Sequence, residues 1–216
     1  MSVFDFNSYH QKLFRDAKKL SCLGLRYLTY HRGIDIAVLE SVTTFRFAPR
    51  CYNSDTKAYH PALLVLVCNP LGNECDAVQR IYLNQDGAKL TGKAKKLIGG
   101  AKGNVFYAKR KTSKGGSLII TEGVEDCLTA KQHWGANNAY WAAISAGNLP
   151  NIDIPSSYNF SSIKIVVDND DAGIKNSELA AAKWHEQGHK VEFINLPVGK
   201  DLNALHLEQI IKEIKK

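Results

Sequence analysis

The chain has 216 residues, of which 44% are hydrophobic and 23% charged, a balance that excludes long disorder, collagen-like repeats and coiled coil. No apolar run reaches the roughly 18 residues of a membrane span, and MSVFDFNSYHQKLF lacks the basic-then-apolar layout of a secretory leader, so no membrane partner and a cytoplasmic location are expected. The net charge of +7 is unevenly spread: residues 1–116 carry 19 Lys and Arg against 8 acids, and residues 117–216 carry 9 against 13.

All seven arginines (Arg15, Arg26, Arg32, Arg46, Arg50, Arg80 and Arg110) lie in the first part. A basic half followed by an acidic half predicts one surface for a polyanion and one site for cations. The five cysteines (Cys22, Cys51, Cys68, Cys75 and Cys127) are odd in number and lack CxxC spacing. That argues against a disulfide scaffold and against a zinc ribbon, so no zinc is expected.

Taken in chain order, residues 8–20 and 22–32 predict helices, with Leu20, Leu23, Leu25 and Leu28 at apolar positions. Strands are expected over 45–47, 62–68 and 78–83, and Asn84-Gln85-Asp86-Gly87 is a turn that would close a hairpin. The Lys- and Gly-rich run TGKAKKLIGGAKGN (91–104) is expected to be a mobile basic loop. KRKTSKGGS (109–117) has the composition of an exposed connection, which divides the chain into domains 1–116 and 117–216. Beyond it, strands are expected over 117–121, 139–144, 163–167 and 191–196, and helices over 124–134, 172–187 and 203–214. Continuous apolar strands alternating with helices predict a parallel sheet covered on both faces. The expected fold class is α/β: a small C-terminal parallel sheet covered by helices, preceded by a basic α+β N-terminal domain.

Acids stand at the ends of these strands. Glu122 follows the first strand of the second part in TEGVED, Asp168 and Asp170 follow the third in VVDNDDAG, and Asp201 follows the fourth in LPVGKD. In an open parallel sheet the strand C-termini share one edge, where ligands bind. Separate strands therefore deliver carboxylates to one place, and a hard divalent cation would relieve their repulsion. Each piece alone has a plainer reading, since Glu-Gly is a common turn and acids near a helix start are favoured by the macrodipole. The joint order carries the weight: strand-EG-helix, strand, strand-DxDxxG-helix, strand-LPxGKD-helix.

That order resembles the toprim domain of primases, topoisomerases and some nucleases and recombination proteins, over residues 117–216. The resemblance makes Glu122, Asp168 and Asp170 the catalytic acids and places Asp126, the second acid of EGxxD, and Asp201 with them as metal ligands. RYLTYHRGI, AVQRIYLNQDG and KKLIGGAKGN are similar to the segment ahead of toprim in phage- and plasmid-type primases, written YLxxRGI, GxxxAxxRxYL and a Lys-rich loop with glycine. By this likeness Arg80, Lys93, Lys95, Lys96, Lys102 and Lys200 would face nucleotide or template phosphates. Tyr82, Phe106 and Tyr107 could stack bases, with core packing the stronger expectation, and Cys127 is expected to be buried. His185 and His189 have zinc-binding i, i+4 spacing without a third ligand.

The resemblance implies a DNA primase-type nucleotidyltransferase that uses Mg²⁺ or Mn²⁺ to make RNA primers. Its partners would be single-stranded DNA, nucleoside triphosphates and a separate replicative helicase, in phage or plasmid replication. A metal-dependent nuclease using the same acids, and a non-catalytic nucleic-acid-binding toprim protein, are the alternatives. Ala204 stands where many relatives carry the last acid of KDxND, a departure that leans toward the non-catalytic reading. The sequence contains no GxxxxGK[ST] loop and no cysteine spacing for a zinc module.

Overall fold

The computed structural model describes residues 8–20, 22–113 and 115–214; residues 1–7, 21, 114, 215 and 216, which belong to the expected domains and their connection, lie outside them. Helix α1 (Tyr9–Asp16) opens on Ser8, whose hydroxyl and the Gln11 side chain form a reciprocal capping box. Helix α2 (Cys22–Arg26) runs into a π-helical turn, Tyr27–His31, and α3 (Ile36–Glu40) follows. Strands β1 (Phe45–Asn53), β2 (Ala58–Val67), β3 (Ala77–Tyr82) and β4 (Lys95–Gly99) form an antiparallel sheet in that order. Register shifts in β1 between Ala48 and Cys51, beside Pro49, which has no N–H to give the ladder.

The second sheet has the order β5-β7-β6-β8-β9, from β5 (Phe106–Lys109), β6 (Leu118–Thr121), β7 (Ala139–Ala142), β8 (Ile163–Val167) and β9 (Val191–Asn195). Four of its strands are parallel, and β5 joins antiparallel to β7. Helices α4 (Val124–Trp134) and α5 (Asp171–Glu186) and a 3₁₀ turn at Ala146–Asn151 lie in the crossovers, and α6 (Leu202–Ile214) follows the last strand. Both faces are covered. Leu118, Ile120, Trp141, Ile163 and Ile165 pack with Ala180 and Trp184 of α5. On the other face Ile119, Tyr140 and Val166 share a core with Phe45, Leu63, Val65 and Ile81 of the first sheet. Phe14 of α1 packs with Leu64, Val78 and Tyr82 on the far side of that first sheet.

Three expectations need correction. The run 91–104 is not a loop throughout, because β4 lies inside it and pairs with β3 from Ala77↔Gly99 to Ile81↔Lys95. It is an edge strand whose residues alternate between exposed and half-buried, so it has no apolar stripe to announce it. Strand β5 lies ahead of residue 117 yet belongs to the second sheet, and Phe106 is buried there. A single disulfide forms despite the odd cysteine count: Cys68 and Cys75 bracket the turn between β2 and β3, which brings their Cα atoms to 3.8 Å. Cys22, Cys51 and Cys127 are free. Among the described residues no helix is long and apolar enough to cross a membrane.

Candidate active site

The C-terminal ends of β6, β8 and β9 define one edge. Glu122 follows β6 directly, and its main-chain oxygen accepts a hydrogen bond from Ile144 N–H at 2.9 Å. Ile144, just past β7, has φ 74°, a left-handed conformation that costs a β-branched residue about 1–3 kcal/mol. The bend that follows turns the Ala146 N–H onto the Glu122 carboxylate. Strained backbone thus holds the side chain that the sequence order singles out.

Asp168 follows β8, and Asp170 caps α5 by accepting a hydrogen bond from Gly173 N–H at 2.7 Å. Gly173 has a steric reason: a Cβ there would lie 2.2 Å from the Asp168 carbonyl oxygen. Asn169 ties this turn to β9 by donating to the Leu196 carbonyl at 2.8 Å. Asp201 accepts from Ala204 N–H at 2.6 Å at the start of α6. Asp126, on the first turn of α4 and 6% exposed, accepts from Asn203 N–H at 2.9 Å. Asn203 also donates to the Arg32 carbonyl and to Thr129, so the first turn of α6, just past LPVGKD, is fastened to α4.

These carboxylates feel one another. Burial first, then Glu122, Asp201 and Asp170, push Asp168 up to about 6. Burial first and then Asp201 push Asp126 up to about 7 despite the hydrogen bond from Asn203. Glu122 is raised by burial, with Asp170 adding to the effect and Ala146 N–H and Lys95 opposing it. The edge is therefore over-supplied with negative charge.

Among the described residues no three Asp, Glu, His or Cys side chains close on a common point as a ready metal cage. The donor set is nonetheless all carboxylate oxygen, and burial together with mutual repulsion raises Asp168 and Asp126. This fits a hard cation such as Mg²⁺, which takes one or two carboxylates and keeps waters or phosphate oxygens for its other positions.

Cations face this edge from the first sheet. Lys95 of β4 forms a 2.8 Å ion pair with Glu125 of α4. Glu125 is 5% exposed, and it also accepts a 2.6 Å hydrogen bond from Tyr27 OH, to which Arg32 Nε donates at 3.1 Å. Burial opposes the Glu125 charge, but Lys95, Tyr27 and Arg32 hold its carboxyl down to about 2. Lys89 lies in the same field: burial and the nearby Lys95 lower it, while Glu125 and Asp201 pull the other way.

Glu125, Lys89 and Arg32 were not singled out by sequence reasoning. The YLxxRGI likeness contained a signal for Arg32, because its Tyr, Arg and Gly all serve this junction. Gly33 has φ 67°, and a Cβ there would lie 2.7 Å from Ile210 and 2.8 Å from His206.

The other expected residues divide. Arg80 and Lys96 are cross-strand partners on the face of the first sheet turned away from Lys95. Arg80 reaches the Tyr52 carbonyl at 3.5 Å, and Lys96 pairs with Asp55 at 2.5 Å. Lys93 is exposed near Asp55, and Lys102 is exposed in the turn before β5. Lys200 is paired with Glu208. Tyr82 and Phe106 are fully buried, Tyr107 is part-buried, and Cys127 is buried with its thiol pushed by that burial up to about 12. Helix α5 ends at Glu186, so His185 and His189 do not share a helical face.

Two families match the sequence. Residues 6–107 match a domain of unknown function, DUF7146, and residues 117–210 match the Toprim domain. No curated protein matches the chain significantly in sequence. The fold is similar to the primase fragment of the bacteriophage T7 primase-helicase protein, at 21% identity and TM-score 0.59, covering 92% of this chain and 78% of that one. It is similar to a DNA primase domain from Pseudomonas aeruginosa, at 15% identity and TM-score 0.55, covering 95% and 76%. The Aquifex aeolicus primase, with its zinc-binding and RNA polymerase domains, aligns at 17% identity and TM-score 0.61, covering 94% of this chain and 57% of that one. With its EG, DxDxxG and LPxGKD segments at the strand ends of a mostly parallel, helix-flanked sheet, the stretch 117–210 is a Toprim domain, and the chain as a whole resembles primases in fold.

Proposed function

We propose that this chain is a DNA primase-like nucleotidyltransferase that makes RNA primers on single-stranded DNA in phage or plasmid replication. What supports the reading is that Glu122 and Asp168 lie within electrostatic reach of Lys95, and Asp201 within that of Lys89, across the junction of the two sheets, with Asp126 beside Asp201 and Asp168. Carboxylates facing lysines suit a triphosphate that arrives with its metal. Asp168 and Asp170 would hold Mg²⁺, with Mn²⁺ as a substitute, and Glu122, Asp126 and Asp201 would complete or orient the site. When bound, the ion supplies a lowered pKa for the attacking 3′-hydroxyl and charge neutralisation at the phosphates.

The chain's own groups do the rest. Lys95, fixed by Glu125, presents its ammonium to phosphate oxygens. Glu122, with its raised pKa, is suited to accept a proton from the attacking hydroxyl. Arg80, Lys93, Lys96, Lys102 and Lys200 are placed on the periphery as backbone contacts. Residues 1–116 serve as the template- and nucleotide-binding part and 117–216 as the toprim part, and a separate helicase would supply unwinding.

One assay tests this. Protein, single-stranded DNA, labelled ribonucleoside triphosphates and Mg²⁺ or Mn²⁺ are incubated beside an Asp168→Ala/Asp170→Ala variant. Short labelled products that the variant does not make are the expected result. Degraded DNA without products would replace this reading with the nuclease, and binding without either signal would leave a non-catalytic toprim protein.

A further inference from the structure

The turn between β1 and β2 carries a feature that the acid edge does not use. Tyr52 and Tyr59 are cross-strand partners at the end of this hairpin, with ring centroids 5.4 Å apart. They are 46% and 56% exposed, although large aromatics ordinarily seek burial. Arg50 lies with its guanidinium 4.3 Å from the centre of the Tyr59 ring, and it is itself exposed. Lys57, at φ 51°, projects from the turn two residues away. Asp55 is the one acid between Arg50 and Tyr59, and Lys96 with Lys93 already offsets it. The tip is thus an exposed aromatic pair flanked by Arg50 and Lys57, neither of which forms an ion pair among the described residues.

Strand alternation fixes which way it faces. Leu63 and Val65 point into the core shared with the second sheet, so Tyr59, at the same parity on β2, lies on that side. The row Leu63–Ile81–Lys95 crosses the same face, and Tyr59 lies four residues, about 13 Å, along β2 from it. His60 and Cys51, of opposite parity, face Tyr82 on the far side.

We infer that Tyr52, Tyr59 and Arg50 form a stacking platform for unpaired bases of single-stranded DNA. Aromatic faces beside cations hold such strands without reading sequence, by stacking on the rings and neutralising the backbone. A duplex, with its bases already stacked inside, has no face to offer the tyrosines. The choice of DNA rests on the primase reading; the stacking geometry does not.

The test measures fluorescence anisotropy of labelled oligonucleotides over a salt series, with the wild-type chain, Tyr52→Ser/Tyr59→Ser, Tyr52→Phe/Tyr59→Phe and Arg50→Ala. The double serine variant is expected to bind single-stranded DNA about tenfold to a hundredfold more weakly, with its salt slope unchanged. The phenylalanine variant keeps wild-type affinity. Arg50→Ala lowers the slope by about 0.7, one backbone contact on a single strand. Duplex affinity does not move with the tyrosines. Halogenated-uracil photocrosslinks, mapped to Tyr52 or Tyr59 in the wild-type chain, give the same answer without a variant that must fold.

Unchanged single-strand affinity in the serine variant, or an equal loss on duplex, overturns the platform. A stronger effect on single-stranded RNA than on DNA overturns the assignment to DNA. Primer synthesis by the same wild-type preparation is scored separately. Products with no tyrosine effect sink the platform alone, whereas a tyrosine effect with no products sinks the primase reading alone.

Discussion

At the seam between the two sheets Glu125 is buried and ionised; one residue along α4, at the strand ends of the second sheet, Asp126 is buried as deeply and pushed toward neutrality. Their intrinsic acidities are close, so the difference lies in what each meets. Glu125 has Lys95, Tyr27 and Arg32, all from the first 116 residues. Asp126 has Asp201 and Asp168. The seam is electrostatically complete with the chain's own groups, whereas the strand ends are complete only when a cation comes from outside. One region holds the molecule together, and the other stores unfavourable charge next to it for use.

The largest effects should come from removing the stored charge. Asp168→Asn with Asp170→Asn should lower primer synthesis about 10³-fold, the equivalent of several kcal/mol of transition-state stabilisation. Asparagine still caps a helix, so α5 keeps its start, and metal-free thermal stability should hold or rise. Parallel loss of the folded state in circular dichroism would contradict that separation. Next comes the seam. Lys95→Met strands a buried carboxylate and should cost about 3 kcal/mol in denaturant unfolding. Glu125→Gln leaves behind a lysine that is partly exposed and can reach water, so it should cost less. Equal costs would mean that the seam is no more buried than a surface pair.

The two regions also answer pH with opposite signs. Glu125 is lowered, so its contribution is present above its unfolded value near 4.5 and fades as pH falls toward about 2. Asp126 and Asp168 are raised, so the folded state binds extra protons between about pH 4 and about 7, and stability falls as pH rises through that window. Metal-free protein should therefore be most stable near pH 4–5 and lose stability steadily toward pH 7. Mg²⁺ should restore that loss at pH 7 and do nothing at pH 4. Asp126→Asn should flatten the decline, and a metal-free curve that rises from pH 5 to 7 would refute the stored-charge account.

The strand ends were legible because local rules place them. IKIVV and LIIT are mostly apolar, as strands covered on both faces are, with Lys164 and Thr121 the exceptions, and the acids follow them immediately. Gly173 was visible as a motif letter, and its closeness to the Asp168 carbonyl gives the letter a cause. The seam was hidden because its partners are far apart in the chain: Tyr27 and Glu125 are separated by 98 positions. No periodicity marks such a pair. Strand β4 was hidden for a different reason, since KKLIG is a half-exposed edge strand set in a Lys- and Gly-rich run with the composition of a loop. Nothing in the spacing of Cys68 and Cys75 separated them from the free cysteines.

The smallest predicted effect uses two adjacent lysines on β4. Lys95 and Lys96 have the same chemistry and the same strand, and alternation turns them to opposite faces. Lys95 meets a carboxylate that water cannot reach, while Lys96 meets Asp55 on an exposed turn. Exposed pairs contribute little, because ordering two side chains offsets most of a screened attraction. Lys96→Ala should leave the unfolding midpoint unchanged at low and high salt, whereas Lys95→Ala should lower it at both. If Lys96 proved as costly as Lys95, charge would matter at both faces alike, and the contrast between a completed seam and a solvated surface would fail. If Lys96→Ala leaves stability alone but weakens DNA binding with a shallower salt slope, its charge belongs to the phosphate-contacting surface. The outer face of the first sheet would then share in the binding assigned above to its inner face.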